Sequence, residues 1–304
     1  MLRALHYDAF GLRGNPWSPR LTALCGGQTM GLAYLALSRQ IMGMNAILNH
    51  TLPALPWMEP ALARLPGMRP VLDDAWTVQT ETFAAQMAAR DRLIADAAPV
   101  HALLPAGQAA AEEVYALMLA RLRGTPGYAV TDASVTRPDG VGVPLRPDAP
   151  PQTLGRLVQE DVCLLTPGGM GEHTLSGAIL CFPASWTLAE KLGRPMTAIH
   201  TPVRAYDGDM ARRVQRLLDG VRVGQPLWRM NHNLYASADL FHPRPEAAPR
   251  LDAVPLYLRA ERQCLLRLPQ TGAIVFTIHT YLMRLADLGV GARAALFVAH
   301  GVAQ

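Results

Sequence analysis

The hydrophobic period of this chain changes once, near residue 151, and that change limits the folds open to it. Before it, apolar residues recur at helical spacing. Phe83, Met87 and Ile94 share one side of Glu81 to Ala97, and Tyr115, Met118, Leu119 and Leu122 fall at i, i+3, i+4 and i+7 within Gln108 to Arg123. Two helices are expected there, paired as a hairpin through a joint near Pro105. After the change the period shortens towards two, and β-type runs occupy 157–165, 174–182, 226–235, 255–268 and 273–281. The "LPQTGA" between the last two is short enough for a hairpin turn. Between the second and third runs lie two helical pieces, Thr187 to Leu192 and Asp207 to Leu218, and the latter puts Met210, Val214, Leu217 and Leu218 on one face.

Strand, strand, short helices, a longer helix and three strands is the element order of a PAS-like α+β domain. A five-stranded antiparallel sheet then curls around a helix and leaves a pocket between them. We place this domain at 151–290, after an N-terminal helical region and connector at 44–150 and before a tail at 291–304. Within the first region, "PALPWMEPALARLPGMRP" carries five prolines and is expected to lie extended. Thr125 to Pro151, with "RPDG" and "RPDAPP", reads as turns. Residues 1–43 are glycine-rich, hold Arg3, Arg13, Arg20 and Arg39 against only Asp8, and keep no period. They read as a disordered leader, with Met44 a plausible start.

Composition removes several function classes. With 50% hydrophobic and 17% charged residues the chain can bury a sizeable core. The leader supplies +3 of the net charge of +4, so no cationic face for nucleic acid is expected. Cys25, Cys163, Cys181 and Cys264 are scattered, without a zinc spacing or a disulfide framework, which fits a reducing, cytoplasmic setting. The most apolar N-terminal window, Leu21 to Leu37, is too short and interrupted to span a membrane. No nucleophile elbow, Walker loop, H-E-x-x-H or dinucleotide fingerprint occurs. "PGGMGE" at Pro167 to Glu172 has glycines enough for an anion nest, but between two strands it reads as a hairpin loop.

Among nine histidines, His50, His101, His242 and His300 lie in polar or terminal settings and read as solvated; His173 opens a strand and can face either way. His232 shares its alternate face with Trp228, Met230 and Leu234, whereas His279 lies opposite Ile274, Phe276 and Ile278 and is expected to point away from the core. His200 follows a helical piece and is pinned by Thr201 and Pro202. It is either an imidazole entering an apolar pocket or a helix C-terminal histidine held by the dipole and a carbonyl. In "LYLRAERQCLLRLP", Tyr257, Arg259, Glu261 and Gln263 share one strand face, and Arg262 sits on the other. A carboxylate on such a face suits a cationic amine, or it is a solvated ion pair. Thr187 and Glu190 have capping-box spacing.

The phrases "RLPGMRPV", "QEDVCLL", "GEHTLSGAILCFPASWTLAEKLGRPMTAIHTPV", "RMN" and "LRAERQCLLRLPQTGAIVFTIHTY", in this order from about Leu55 to Leu285, resemble the heme-dependent oxidative N-demethylase family. The resemblance implies a PAS-like fold holding heme b through a histidine. It also implies O2 as oxidant, a small secondary amine such as dimethylamine as substrate, and electrons from a separate flavin and iron-sulfur reductase subunit. Within that frame "IHTPV" points to His200 as the iron ligand. "RAERQ" points to Glu261 as the carboxylate beside the amine, with Arg259 as its partner. Arg204, Arg229 and Arg262 are the cations available to heme propionates, and Asn231 lies on the cofactor side. The sequence departs from the family pattern at His173, His232 and His279, which adds three rival imidazoles. The alternative is a non-catalytic heme PAS module sensing O2 or redox state. Neither reading requires nucleic acid or a membrane, and both allow an oligomer.

Overall fold

All five β-type runs form strands of one antiparallel sheet, and two short segments from the N-terminal region widen it to seven. The computed structural model describes residues 45–63, 66–203, 206–249 and 253–302, so the expected leader and Arg204 lie outside them. Along the chain come α1 (Pro60–Ala63), β1 (Arg69–Pro70), α2 (Phe83–Ala95), β2 (His101–Leu103), α3 (Gln108–Leu122), β3 (Ala129–Val130), β4 (Ser134–Thr136), β5 (Gly142–Pro144) and α4 (Pro150–Leu157). There follow β6 (Asp161–Pro167), β7 (His173–Ile179), α5 (Leu188–Lys191), α6 (Met196–Ile199), α7 (Gly208–Gly220), β8 (Leu227–Tyr235), β9 (Tyr257–Arg267), β10 (Ile274–Arg284) and α8 (Val290–His300).

The large sheet runs β1-β8-β9-β10-β6-β7-β2, and every neighbouring pair is antiparallel. The five-stranded expectation missed β1 and β2 because two or three residues are too few to show a period. Pro70 sits on the edge strand β1, where its missing donor costs little. The N-terminal region is built into this sheet, with α2 and α3 each packed chiefly on α4 and strand β2 between them in sequence, in place of the expected helix hairpin. The connector forms a separate three-stranded sheet, β3-β4-β5, and then the start of α4. The proline-rich stretch is not extended throughout: α1 is one helical turn with Leu62 fully buried. The residues read as a tail carry α8.

Directly opposed residues of antiparallel strands point to the same face, so the register sorts the sheet's side chains. Leu227, Leu265, Phe276 and Cys163 form one row and pack with residues of α5, α6 and α7. The opposite row of Met230, Arg262 and His279 belongs to the face whose core includes α3 and α4. Both faces are therefore covered, which corrects the expectation for His279: it is fully buried. Alternation told which face the ring was on, but not that helices lay over it.

Local chemistry fixes the ends of these elements. Asp161, at the start of β6, accepts hydrogen bonds from the backbone N–H groups of Cys181 and Phe182 at 2.7 and 2.9 Å and from Arg90 of α2 at 2.7 Å. This ties the beginning of one strand to the exit of its hairpin partner through a fully buried ion pair. Asp207 caps α7 by accepting from the Met210 N–H at 2.8 Å. The expected capping box at α5 does not form. Glu190 accepts from the Thr187 hydroxyl at 2.5 Å and from the Glu246 N–H at 3.0 Å, bridging to a distant loop. No helix of the described residues is long and apolar enough to cross a membrane.

Candidate functional site

His200 is the C-terminal cap of α6, a single turn entered through Pro195. Its Nδ1 lies 2.9 Å from the Met196 carbonyl oxygen, and its ring stacks on Tyr206 with centroids 4.2 Å apart and planes 12° from parallel. A carbonyl can only accept, so Nδ1 carries the proton and Nε2 carries the lone pair. Nε2 has no hydrogen-bond partner among the described residues. Burial lowers the imidazole pKa, with Lys191 adding to the effect and the Met196 bond opposing it, so the neutral, ligating form prevails at pH 7. Of the two readings left by the sequence, the geometry shows the helix C-terminal histidine held by a carbonyl. A carbonyl on the other ring nitrogen, fixing tautomer and orientation, is what a metal-ligating histidine needs.

The apolar side chains of α6, which ends at this ring, and of α7 are incompletely covered. α7 is strongly amphipathic, yet Leu218 is its one fully buried residue, and Met210, Val214 and Leu217 remain half-covered. Met196 and Ile199 of α6 and Phe276 of β10 are in the same state. Except for Met210, these side chains pack against one core cluster on the α7 face of the sheet, and all of them keep part of their apolar surface uncovered. Such surface fits a flat apolar macrocycle. Among the described residues no three His, Cys, Asp or Glu side chains converge as a metal-binding group. Iron held here would need a porphyrin to supply most of its ligands, with His200 the residue that would hold it. A cleft of about 250 Å³ lined by Thr77, Val78, Gln79, Thr125, Pro126, Tyr128 and Val158 is elsewhere, among residues that pack with the α4-side core.

On the α7 side of the sheet, the next two rows are polar. Register sets Arg229 opposite Gln263 and Asn231 opposite Glu261, and side chains join them into a ribbon. Arg229 Nη1 donates to Gln263 Oε1 at 3.2 Å. Glu261 Oε2 accepts from Asn231 Nδ2 at 3.1 Å and from Gln263 Nε2 at 3.2 Å. Arg259 Nε stands 3.5 Å from Glu261 Oε1, close enough for an ion pair but outside hydrogen-bond geometry. Arg259 also donates to the carbonyls of Leu240, Asp239 and Phe182, so it anchors two loops as well as the carboxylate. Three polar atoms of the ribbon, Arg229 Nε, Asn231 Oδ1 and Arg259 Nε, are buried without a hydrogen-bond partner. Burial lowers the Arg229 pKa, and Glu261 opposes this.

The structure thus brings Glu261, Arg259, Arg229 and Asn231 to one side of the sheet and leaves Arg262 on the other. Arg262 is buried there against Trp228, 5.2 Å from its ring, and donates to the Ala75 carbonyl at 2.7 Å. Of the rival imidazoles, His279 is on the α4 side, bonded through Nδ1 to Glu160 at 3.0 Å. His232 is also on the side away from Glu261, 2.9 Å from His300, which is half-buried and paired through Nε2. His173 is buried and its Nδ1 meets Gln215 Nε2 at 2.9 Å. The amide orientation is fixed by Gln215 Oε1 accepting from the His173 N–H and by Nε2 donating to Asp219. His173 Nδ1 therefore accepts, its Nε2 carries the proton, and it offers no lone pair to a metal. "PGGMGE" is the turn between β6 and β7.

Sequence reasoning missed Tyr206 and the role of Gln263. Tyr206 comes six residues after His200 with no periodic signal, and Gln263 becomes a link only once register sets it against Arg229. A family model described as haem-dependent oxidative N-demethylase, alpha subunit-like, matches residues 67–299. That span runs from just before β1 nearly to the end of α8 and includes His200 and the whole ribbon. The chain therefore belongs to the haem-dependent oxidative N-demethylase, alpha subunit-like family, whose description is that of a heme-dependent oxidoreductase subunit.

Proposed function

We propose that this protein would hold heme b against the half-covered apolar side chains of α6 and α7, with His200 Nε2 as the protein's ligand to its iron, and that it removes a methyl group from a small secondary amine such as dimethylamine. The observation that carries the reading is the neutral His200 ring, fixed through Nδ1 and Tyr206 and left with an unpartnered Nε2 beside half-covered apolar surface. The seating of β6 between β10 and β7, with two short helices and α7 inserted before β8, supports a PAS-like core within the wider sheet.

Bound heme would supply the O2 activation that no side chain can. The overall balance is one N-methyl amine, one O2, two electrons and two protons, giving the demethylated amine, formaldehyde and water. The electrons come from a separate flavin and iron-sulfur reductase, the kind of partner an alpha subunit implies. The chain's own residues do the rest. His200 orients the metal site, the apolar residues of α6 and α7 exclude water, and Glu261 sets the potential felt by an amine near β8 and β9. Arg229 lies on the same side and is available to a carboxylate such as a heme propionate. We place the protein in the cytoplasm.

The test is the visible spectrum of the purified protein and of His200→Ala. A Soret band in the wild type that is lost or displaced in the variant supports the reading, whereas an identical band in both removes His200 as the ligand. Formaldehyde release from dimethylamine with a generic reductant separates turnover from mere heme binding.

A further inference from the structure

We propose that Lys191, the only lysine of the chain, is the positioning residue for His200: its ammonium holds the peptide group through which the ring is joined to α6. This role rests on the reading of His200 as the iron ligand for its purpose, though not for its geometry.

α6 is a single turn, too short to keep a direction through its own hydrogen bonds. Outside bonds fix both of its ends. At the start, the Thr197 N–H and hydroxyl donate to Glu172 at 3.0 and 2.9 Å. The lead-in is paired with β7, the Leu175 N–H donating to the Arg194 carbonyl at 3.1 Å and the Gly193 N–H to the Leu175 carbonyl at 2.8 Å. At the other end, Lys191 Nζ donates to the Ile199 carbonyl at 2.6 Å. That carbonyl belongs to the planar peptide unit whose far end is the His200 N–H. This N–H and Nδ1 of the same residue both meet the Met196 carbonyl oxygen, at 3.3 and 2.9 Å. Turning the unit would swing the ring off Met196 and off the Tyr206 face on which it stacks. Lys191 and Met196 thus hold one rigid plane by its two ends.

Burial makes the grip specific. Lys191 is 5% exposed, and an ammonium in that setting needs its donors met and its charge paired. Glu246 supplies the charge in direct contact with Nζ, and its own N–H donates to Glu190 at 3.0 Å. Two adjacent residues of α5 therefore seat the Glu246 loop and the end of α6 together. The chain uses arginine at every other basic position, but a guanidinium spreads its donors across a planar fork. An ammonium is a point with three donors, which suits a carbonyl and a carboxylate converging on one spot.

The test is solvent exchange of the His200 Nδ1 proton. It is followed by NMR of the purified protein carrying isotope-labelled histidine, with the signal identified by its absence from His200→Ala and any heme kept ferrous and diamagnetic with carbon monoxide. Lys191→Met is expected to speed this exchange at least about tenfold, through the loss of one charged hydrogen bond. Glu246→Gln removes the ion pair but leaves the ammonium on Ile199, so it should lower stability while exchange stays near the wild-type rate. Should Lys191→Met fail to fold, Lys191→Met combined with Glu246→Leu leaves no charge unpaired and should exchange as fast. The proposal is overturned if exchange is unchanged in folded Lys191→Met or in the double variant. It is equally overturned if Glu246→Gln speeds exchange as much, because the pair would then serve fold stability alone. A wild type without heme that still loses Nδ1 protection in Lys191→Met would sink the heme reading and leave the positioning role standing.

Discussion

Replacing Glu261 by glutamine tests whether this carboxylate is part of the scaffold. It is 6% exposed and Arg259 is 2% exposed, so solvent screens their attraction little. Opposite charges at the 3.5 Å separation of Arg259 Nε and Glu261 Oε1 attract by about 5 kcal/mol at an effective dielectric near 20. Desolvation offsets part of that, and stranding one member of a buried pair costs about 3–5 kcal/mol. The lower end applies because Arg259 keeps the carbonyls of Leu240 and Asp239 at 3.0 and 3.5 Å and that of Phe182. The glutamine amide can accept from Asn231 and Gln263 only by turning its own NH2 towards the guanidinium. We expect Glu261→Gln to destabilise by about 3 kcal/mol, a fall in Tm of roughly 6–12 °C for a protein of this size. Urea unfolding at matched heme occupancy, with an unchanged m-value, reads this directly. In a double-mutant cycle with Arg259→Met, about 2 kcal/mol of coupling should appear, although the carbonyls lose their donor in that background. A cost below about 1 kcal/mol with no coupling would refute the assignment, because the carboxylate would then be solvated.

Other perturbations probe separate links. Gly155→Ala places a Cβ 2.5 Å from Ile179 Cγ1 and 3.0 Å from its Cδ1, and should cost about 1–3 kcal/mol by overpacking; an unchanged urea midpoint would mean α4 sits farther from β7. Glu160→Ala strands the His279 ring and the Val78 N–H, which it now accepts at 3.0 and 2.8 Å, and should cost at least about 2 kcal/mol in the same assay. Burial, with His300 and Arg229 adding, lowers the His232 pKa from 6.5 to about 4. Between those values the unfolded chain binds more protons, so the contribution is complete above pH 6.5 and is lost as pH falls towards 4. For a half-buried ring it amounts to about 1–2 kcal/mol after screening, and His232→Leu should flatten that part of the stability profile. Asp207→Ala removes the cap on α7 and should cost about 1 kcal/mol, read by thermal unfolding.

Much of the fold was written in the spacing of apolar residues. Five strands, two long helices and α7 are local matters, because a period of two or 3.6 is set by backbone geometry and needs no partner to be visible. The same alternation put Arg259, Glu261 and Gln263 on one face and Arg262 on the other, and the phrase around His200 marked the ring that stands at the end of α6. Register, coverage and protonation were not local. Asn231 became the partner of Glu261 only when β8 paired with β9 in one register out of several, and His279 became a core residue only when helices covered the second face of the sheet. The proton on His173 was placed by Gln215, forty-two residues away, and that on His200 by a carbonyl whose direction depends on where the one-turn helix ends. Sequence by itself determined the longer periodic elements and which face of them each side chain takes, since those follow from repeat lengths. Tertiary structure decided which polar atoms meet and which nitrogen keeps its lone pair, because a hydrogen bond between distant residues exists only once the chain has been brought within about 3 Å of itself.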